Sequence, residues 1–194
     1  MPVLRRMATL FPTAGWQDMI EPAVRLLVES APLGFSPEWI IWDSQAGWVP
    51  DAATSRESSY NAIRTYLWAG MSRSDPSFER LKWAFVPWAH WVATAHATPE
   101  RIDAFAPYGE AKINAGPVGF DAAALPLVNS WGQAPLQSEL QNHINASLQK
   151  SAPTYYSHAL VLFGLGWMQG RYRFVPDGAL LLPVGGACLS AESK

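Results

Sequence analysis

Apolar positions recur at helical spacing along most of the chain, interrupted by short Pro- and Gly-rich connections. The spacing predicts a first short helix over residues 3–11. A second, over 16–30, carries Met19, Ile20, Val24, Leu27 and Val28 and stops before Pro32 and Gly34. The pattern then changes. Trp39, Ile40, Ile41, Trp42 and Trp48 flank residues 43–47, which predicts a β-hairpin turning at 44–47. A third helix is expected over 58–71, with Ser58 or Ser59 as its cap. The fourth starts at Asp75–Pro76 and runs to Ala95, with Leu81, Phe85, Trp88 and Val92 on one face and a kink at Pro87. Residues 98–119 read as a long ordered loop. Helices follow over 120–130, 135–150 and 154–169. The last is apolar nearly all round and should be buried. The segment RYRFVPDGALLLP predicts a second hairpin turning at 176–178. The sum is seven helices and two small hairpins, an all-α chain built from packed helical hairpins.

Composition narrows the classes. The 194 residues are 49% apolar and only 15% charged, against the roughly 25% usual for soluble domains. Ten are Trp. That much apolar surface forms a core and excludes disorder. A net charge of −2 and a pI near 6.1 exclude the basic footprint of a nucleic-acid binder. The single cysteine, Cys188, excludes a disulfide framework within the chain and argues against a Cys/His zinc cluster. The four histidines, His90, His96, His143 and His158, lack metal spacing, so neither a metal nor another cofactor is expected. Ser58 and Ser59 have no His–Asp context for a serine hydrolase. No run approaches the roughly 18 apolar residues of a membrane span. Arg5, Arg6 and Pro12 break any signal-peptide pattern, so the chain as written is expected to carry no export signal. The tail from about Gly185 is expected to fray.

Three stretches are informative together: SSYNAIRTYLWAGM (58–71), AGPVGFDAAALPL (115–127) and YYSHALVLFGLGWMQGRYRF (155–174), with APLGFSPEWIIW (31–42) leading in. In this order they resemble the C-terminal half of the family 8 glycoside hydrolases. The likeness is greatest to the branch whose periplasmic members accompany bacterial cellulose synthase, and it runs from about Val3 to Cys188. The resemblance implies roughly the second half of an (α/α)6 toroid. It also implies an endo-β-1,4-glucanase activity on cellulose with inversion, and a periplasmic setting. An inverting enzyme needs a carboxylic acid and a separate carboxylate base, roughly 6.5–9.5 Å apart. In the family the acid lies in the N-terminal half, which this sequence lacks. The base is the Asp of a Ser-Tyr-Asp-Ala-Ile-Arg motif, and that position here is Asn61. A neutral amide is too weakly basic to take a proton from water, and general-base catalysis typically contributes about 10²–10⁴-fold. The chain alone is therefore expected to be inactive.

Tyr60, Asn61 and Arg64 are expected in the first turns of the third helix, Asn61 and Arg64 on one face. The helix N-terminus and Arg64 would hold an Asp at 61 ionised. They keep Asn61 hydrogen-bonded but inert, or Asn61 is simply a polar residue at a helix start. The resemblance implies that Tyr155 or Tyr156 faces the cleft and bonds a sugar; either is equally a core tyrosine satisfied at the rim. Of Trp39, Trp42, Trp48, Trp68, Trp83, Trp88, Trp91, Trp131 and Trp167, one or two are expected to offer sugar-stacking faces while the rest pack. Asp103 is expected to order its loop by an Asx-type turn rather than to line a cleft. Cys188 occupies the place of a C-terminal cysteine in the family and is expected to be a free thiol. The implied partner is a β-1,4-glucan oligosaccharide. An open half-toroid would also expose an apolar seam for the missing half or another chain. The alternatives from other classes are a non-catalytic glucan-binding segment and the product of a truncated gene.

Overall fold

The computed structural model describes residues 1–183 except Ser55, Asn114 and Ser151, so the expectations for Cys188 and the tail lie outside the described residues. Eight α-helices occur among them: α1 (Pro2–Leu10), α2 (Ile20–Glu29), α3 (Ile63–Met71), α4 (Phe78–Ala84), α5 (Val86–Ala95), α6 (Val118–Ser130), α7 (Ala134–Lys150) and α8 (Tyr155–Met168). Seven strands make three small antiparallel sheets: β1 (Ile40–Asp43) with β2 (Gly47–Pro50), β3 (Glu57–Ser58) with β4 (Arg101–Asp103) and β5 (Ala111–Ile113), and β6 (Arg173–Phe174) with β7 (Leu180–Leu181).

Helix α6 is the axis of the packing. Every residue from Gly119 to Val128 is buried, and α3, α7 and α8 pack around it. Its Ala122–Ala124 run is small enough for neighbouring backbones to come close. Gly70 of α3 lies against the backbone of Pro126–Leu127, Gly164 of α8 against Ala122, and Gly119 against Ser157. A side chain at any of these positions would collide with main chain. The three helices run side by side in one direction, because their N-terminal ends meet. Tyr60, just before α3, touches Phe120 in α6 (5.0 Å between ring centres) and Tyr156 in α8 (5.8 Å). Three positive helix ends therefore converge on one side of the molecule. At the other end, Arg5 of α1 grips the largely buried Asp75 with two hydrogen bonds (3.0 and 3.1 Å).

Several expected elements are corrected. The fourth helix is two, α4 and α5. Pro87 falls in the first turn of α5, where its missing N–H is harmless, and the chain breaks at Phe85. Asp75 does not cap α4. Its carboxylate accepts from Ser77 N (2.7 Å) in the turn before, and α4 starts at Phe78. The second helix begins only at Ile20, after a 3-10 turn at Gln17–Met19, and Met19 is exposed. The expected loop over 98–119 carries β4 and β5, which pair with each other, and β4 also pairs with β3, which lies far back in the chain where local pattern does not link them. Helix α8 is not wholly buried: Leu160, Val161 and Trp167 are, but Leu162 (64% exposed) and Phe163 are not. Leu81, Phe85, Trp88 and Val92 all lie in the core as their spacing requires. Both hairpins form, with Gly47 and Gly178 at positive φ in their turns.

Gly164→Ala is expected to lower stability by at least the roughly 1–3 kcal/mol typical of overpacking, because the contacted group is backbone. Gly132→Ala meets open space but keeps a positive φ, so its effect should be smaller. Thermal unfolding of the two variants checks this order.

Candidate active site

The site is built on the segment that leads into α3. Tyr66, one turn into the helix, is fully buried. It stacks on Trp88 (3.9 Å, 9° between planes) and meets Phe85 edge-on. Its hydroxyl accepts from Ser36 N (2.7 Å) and pairs with Ser58 Oγ (3.1 Å). Burial pushes the Tyr66 phenol well above its ordinary pKa, so it stays protonated. One tyrosine thus fixes two chain segments that are distant in sequence, 36–38 and 57–61. Glu38 N donates to Glu57 O (2.7 Å) and completes the tie.

This frame overturns the expected capping. Ser58 is a strand residue spent on Tyr66. Ser59 Oγ donates to Glu100 O (2.6 Å), and α3 begins only at Ile63. The free amides before the helix are instead satisfied by Glu38. Its carboxylate accepts from Asn61 N (2.8 and 3.0 Å to its two oxygens), Ala62 N (3.2 Å) and Asn61 Nδ2 (2.6 Å). An anion at a helix N-terminus is favoured by the exposed N–H groups and the dipole. Sequence reasoning expected that environment to serve residue 61; the charge it holds belongs to Glu38. The missed residue lies in the quoted APLGFSPEWIIW stretch, 23 positions before its partner, where no spacing rule connects them.

Asn61 is held from both sides. Nδ2 is given to Glu38, and Oδ1 accepts from Arg64 Nη2 (2.7 Å). Asn61, Arg64, Met1, Leu27 and Trp68 line a cavity of about 390 Å³ beside α3. Tyr60 Oη donates to Glu100 Oε1 (3.2 Å), a second carboxylate the sequence did not single out. The two neighbouring tyrosines separate. Tyr156 donates its hydroxyl to Tyr60 O, while Tyr155 is 91% exposed. Burial raises the phenol pKa of both Tyr60 and Tyr156, Glu100 adding to it at Tyr60, so both remain hydrogen-bond donors at neutral pH. Asp103 accepts from Phe105 N (2.8 Å), the expected Asx-type turn, and pairs with Arg56. His143 and His96 each pair with one carboxylate, Asp121 and Glu139. Among the described residues no group of three or more His, Cys, Asp or Glu is placed to hold a metal ion. The arrangement gathers amide, guanidinium and phenol groups beside the cavity, and no carboxylate at residue 61.

Two predictions follow from the geometry. Tyr66→Phe strands the buried Ser36 N–H and is expected to lower stability by about 1–3 kcal/mol, read by chemical denaturation. Asn61→Asp sets a carboxyl where Nδ2 now meets Glu38 at 2.6 Å. Repulsion should raise the pKa of the introduced Asp in the folded state above its unfolded value near 4. A raised carboxyl favours folding only while protonated. The variant should therefore match the parent at acid pH and fall below it by about 1–3 kcal/mol as pH rises through the shifted range. Adding Glu38→Gln should abolish that pH dependence of the melting temperature; its persistence would show that Glu38 does not face residue 61.

The comparisons with known proteins agree with this architecture. Glycosyl hydrolases family 8 matches residues 1–170. The endoglucanase of Salmonella typhi is 40% identical over 181 residues, covering 92% of this chain and 47% of that protein. The endoglucanase of Escherichia coli K12 is 38% identical over 193 residues, covering 98% and 50%. The crystal structure of endo-1,4-D-glucanase from Vibrio fischeri ES114 superposes with a TM-score of 0.84 at 38% identity, over 93% of this chain and 52% of that one. The chain thus spans about half the length of the relatives it matches, and its helices form part of an (α/α)6 fold. With the order of its helices, its site segment and these matches in agreement, the chain belongs to glycosyl hydrolase family 8.

Proposed function

We propose that this chain forms one wall of a β-1,4-glucan cleft, and that by itself it binds glucan without cleaving it. The observation that carries the reading is the state of Asn61. Both polar atoms of its side chain are engaged, by Glu38 and by Arg64, and an amide has no basic lone pair for a water proton. The endoglucanase relatives support the substrate class, and the exposed Arg64 with the phenols of Tyr60 and Tyr156 supplies groups that bond sugar hydroxyls. The family's proton-donating acid falls in the half of the domain that this sequence does not span. Assembly with that half, and not turnover by the single chain, is the functional context we infer. The setting, trimming of cellulose during its synthesis in a bacterial periplasm, is supported by the likeness of the quoted motifs. Exposed apolar side chains support the assembly: Leu162 and Phe163 on α8, and Val3, Leu10 and Phe11 at α1.

The chain is expected to release no reducing sugar from carboxymethylcellulose above a heat-inactivated control, while cellohexaose gives a saturable calorimetric titration. Turnover by the chain alone would remove the inactivity; a flat titration would remove the glucan wall.

A further inference from the structure

The β1–β2 hairpin stands out among the surfaces that the site does not use. Its strands pair Trp42 opposite Trp48, with ring centres 4.8 Å apart and planes at 65°. Trp42 is 60% exposed. So is Trp39, which with Ile41 falls on the opposite face by the two-residue alternation of a strand. An isolated two-stranded hairpin is marginally stable, and solvent-exposed indoles on it serve no core. The turn is nonetheless well made. Asp43 Oδ1 accepts from Gln45 N (2.8 Å) and Ala46 N (2.7 Å), and Gly47 takes the positive φ. The aromatic pair is therefore presented in a fixed geometry rather than on a loose loop.

Trp42 and Trp48 face α2, and between them lies a concavity of about 210 Å³. Pro22 and Leu26 contribute apolar lining. Arg25 and Glu29, hydrogen-bonded to each other at 2.8 Å, complete it. An open indole face beside a guanidinium–carboxylate pair matches the two-sided chemistry of a pyranose. The axial C–H groups of a β-linked glucose form an apolar patch that lies on an aromatic face. Its equatorial hydroxyls, pointing sideways, take the bidentate donors of an arginine and the acceptors of a carboxylate. A purely apolar partner would leave the Arg25–Glu29 rim unused. Because the rings are held by a rigid turn, little ordering is required on binding.

We propose that Trp42, Trp48, Arg25 and Glu29 form a second glucan-binding surface, separate from the Asn61 cavity, that holds a β-glucan chain by stacking. This rests on the glucan reading given above. The test is affinity electrophoresis of the full chain in gels containing hydroxyethylcellulose. Trp42→Ala is expected to weaken retention about tenfold, the scale of one lost stacking contact. Trp42→Phe should restore part of it. Arg25→Ala, at an exposed position of α2, removes the partner of Glu29 but leaves Trp42, Trp48 and the Asp43 turn in place; it should weaken retention, which covers the case in which Trp42→Ala fails to fold. The double variant Arg64→Ala/Tyr156→Phe should retain the hairpin-dependent part. If hairpin variants migrate like the parent while the cavity variant loses retention, the second surface is refuted and the cleft reading stands. If the parent itself is not retained, the glucan reading fails with it. Equal retention of every variant also refutes the hairpin surface.

Discussion

The close approach of α3 and α8 to α6 is the constraint on which the rest of this chain depends. It exists because Gly70, Gly119 and Gly164 place no side chain between backbones, and because α6 offers Ala122–Ala124 to them. Pro126 falls within the same stretch of α6. It gives no N–H to the carbonyl four residues earlier, that of Ala122, which is the group Gly164 packs against. Packing at this distance sets where the three helices begin relative to one another. Tyr60, Phe120 and Tyr156 come within ring contact only because the helix bodies below them are nearly touching.

The site inherits its order from that base through Tyr66. A single buried phenol, clamped by Trp88 and Phe85, accepts from Ser36 and pairs with Ser58. The backbone of Glu38 is tied to Glu57, and its carboxylate then arrives at the open amides before α3. The charge balance of the site follows. One helix end and one arginine compete for anions, and the carboxylate that answers is Glu38. The amide at residue 61 is its neutral companion, able to donate to Glu38 and accept from Arg64 at once. An aspartate there would lack the donor that Glu38 meets. The hydrogen bonds around residue 61 are self-consistent with an amide there, and no carboxylate stands at that position.

The family relationship and the charge arrangement bear on different questions. The matches to family 8 and the fold it shares with the Vibrio fischeri enzyme fix the architecture over nearly the whole chain. The chemistry at residue 61 depends on a few side chains, and fold alone does not carry it. The exposed faces of α1 and α8 and the protruding tryptophan hairpin lie outside that small set. They show that part of the apolar content read from composition lies on the surface.

What the sequence determined by itself was local. Helical spacing placed Leu81, Phe85, Trp88 and Val92 in the core, the Asp43–Gly47 turn made its hairpin, and the ordered motifs carried the family. The first two are set by periodicity and turn chemistry within a dozen residues; the third rests on the order of the quoted motifs along the chain. The tertiary structure decided everything that needed two distant segments. Glu38 reached Asn61, Glu100 reached Tyr60, β3 paired with β4, and Tyr156 rather than Tyr155 joined the site. Ser58 and Ser59 illustrate why. Their short hydroxyls suit a cap, but Tyr66 and the carbonyl of Glu100 offered them partners that sequence neighbours could not, and the helix began four residues after Ser59. Hydrogen-bonding groups at a helix end take whichever partner the packing delivers, and the packing is decided by the glycines that let three helices close on one another.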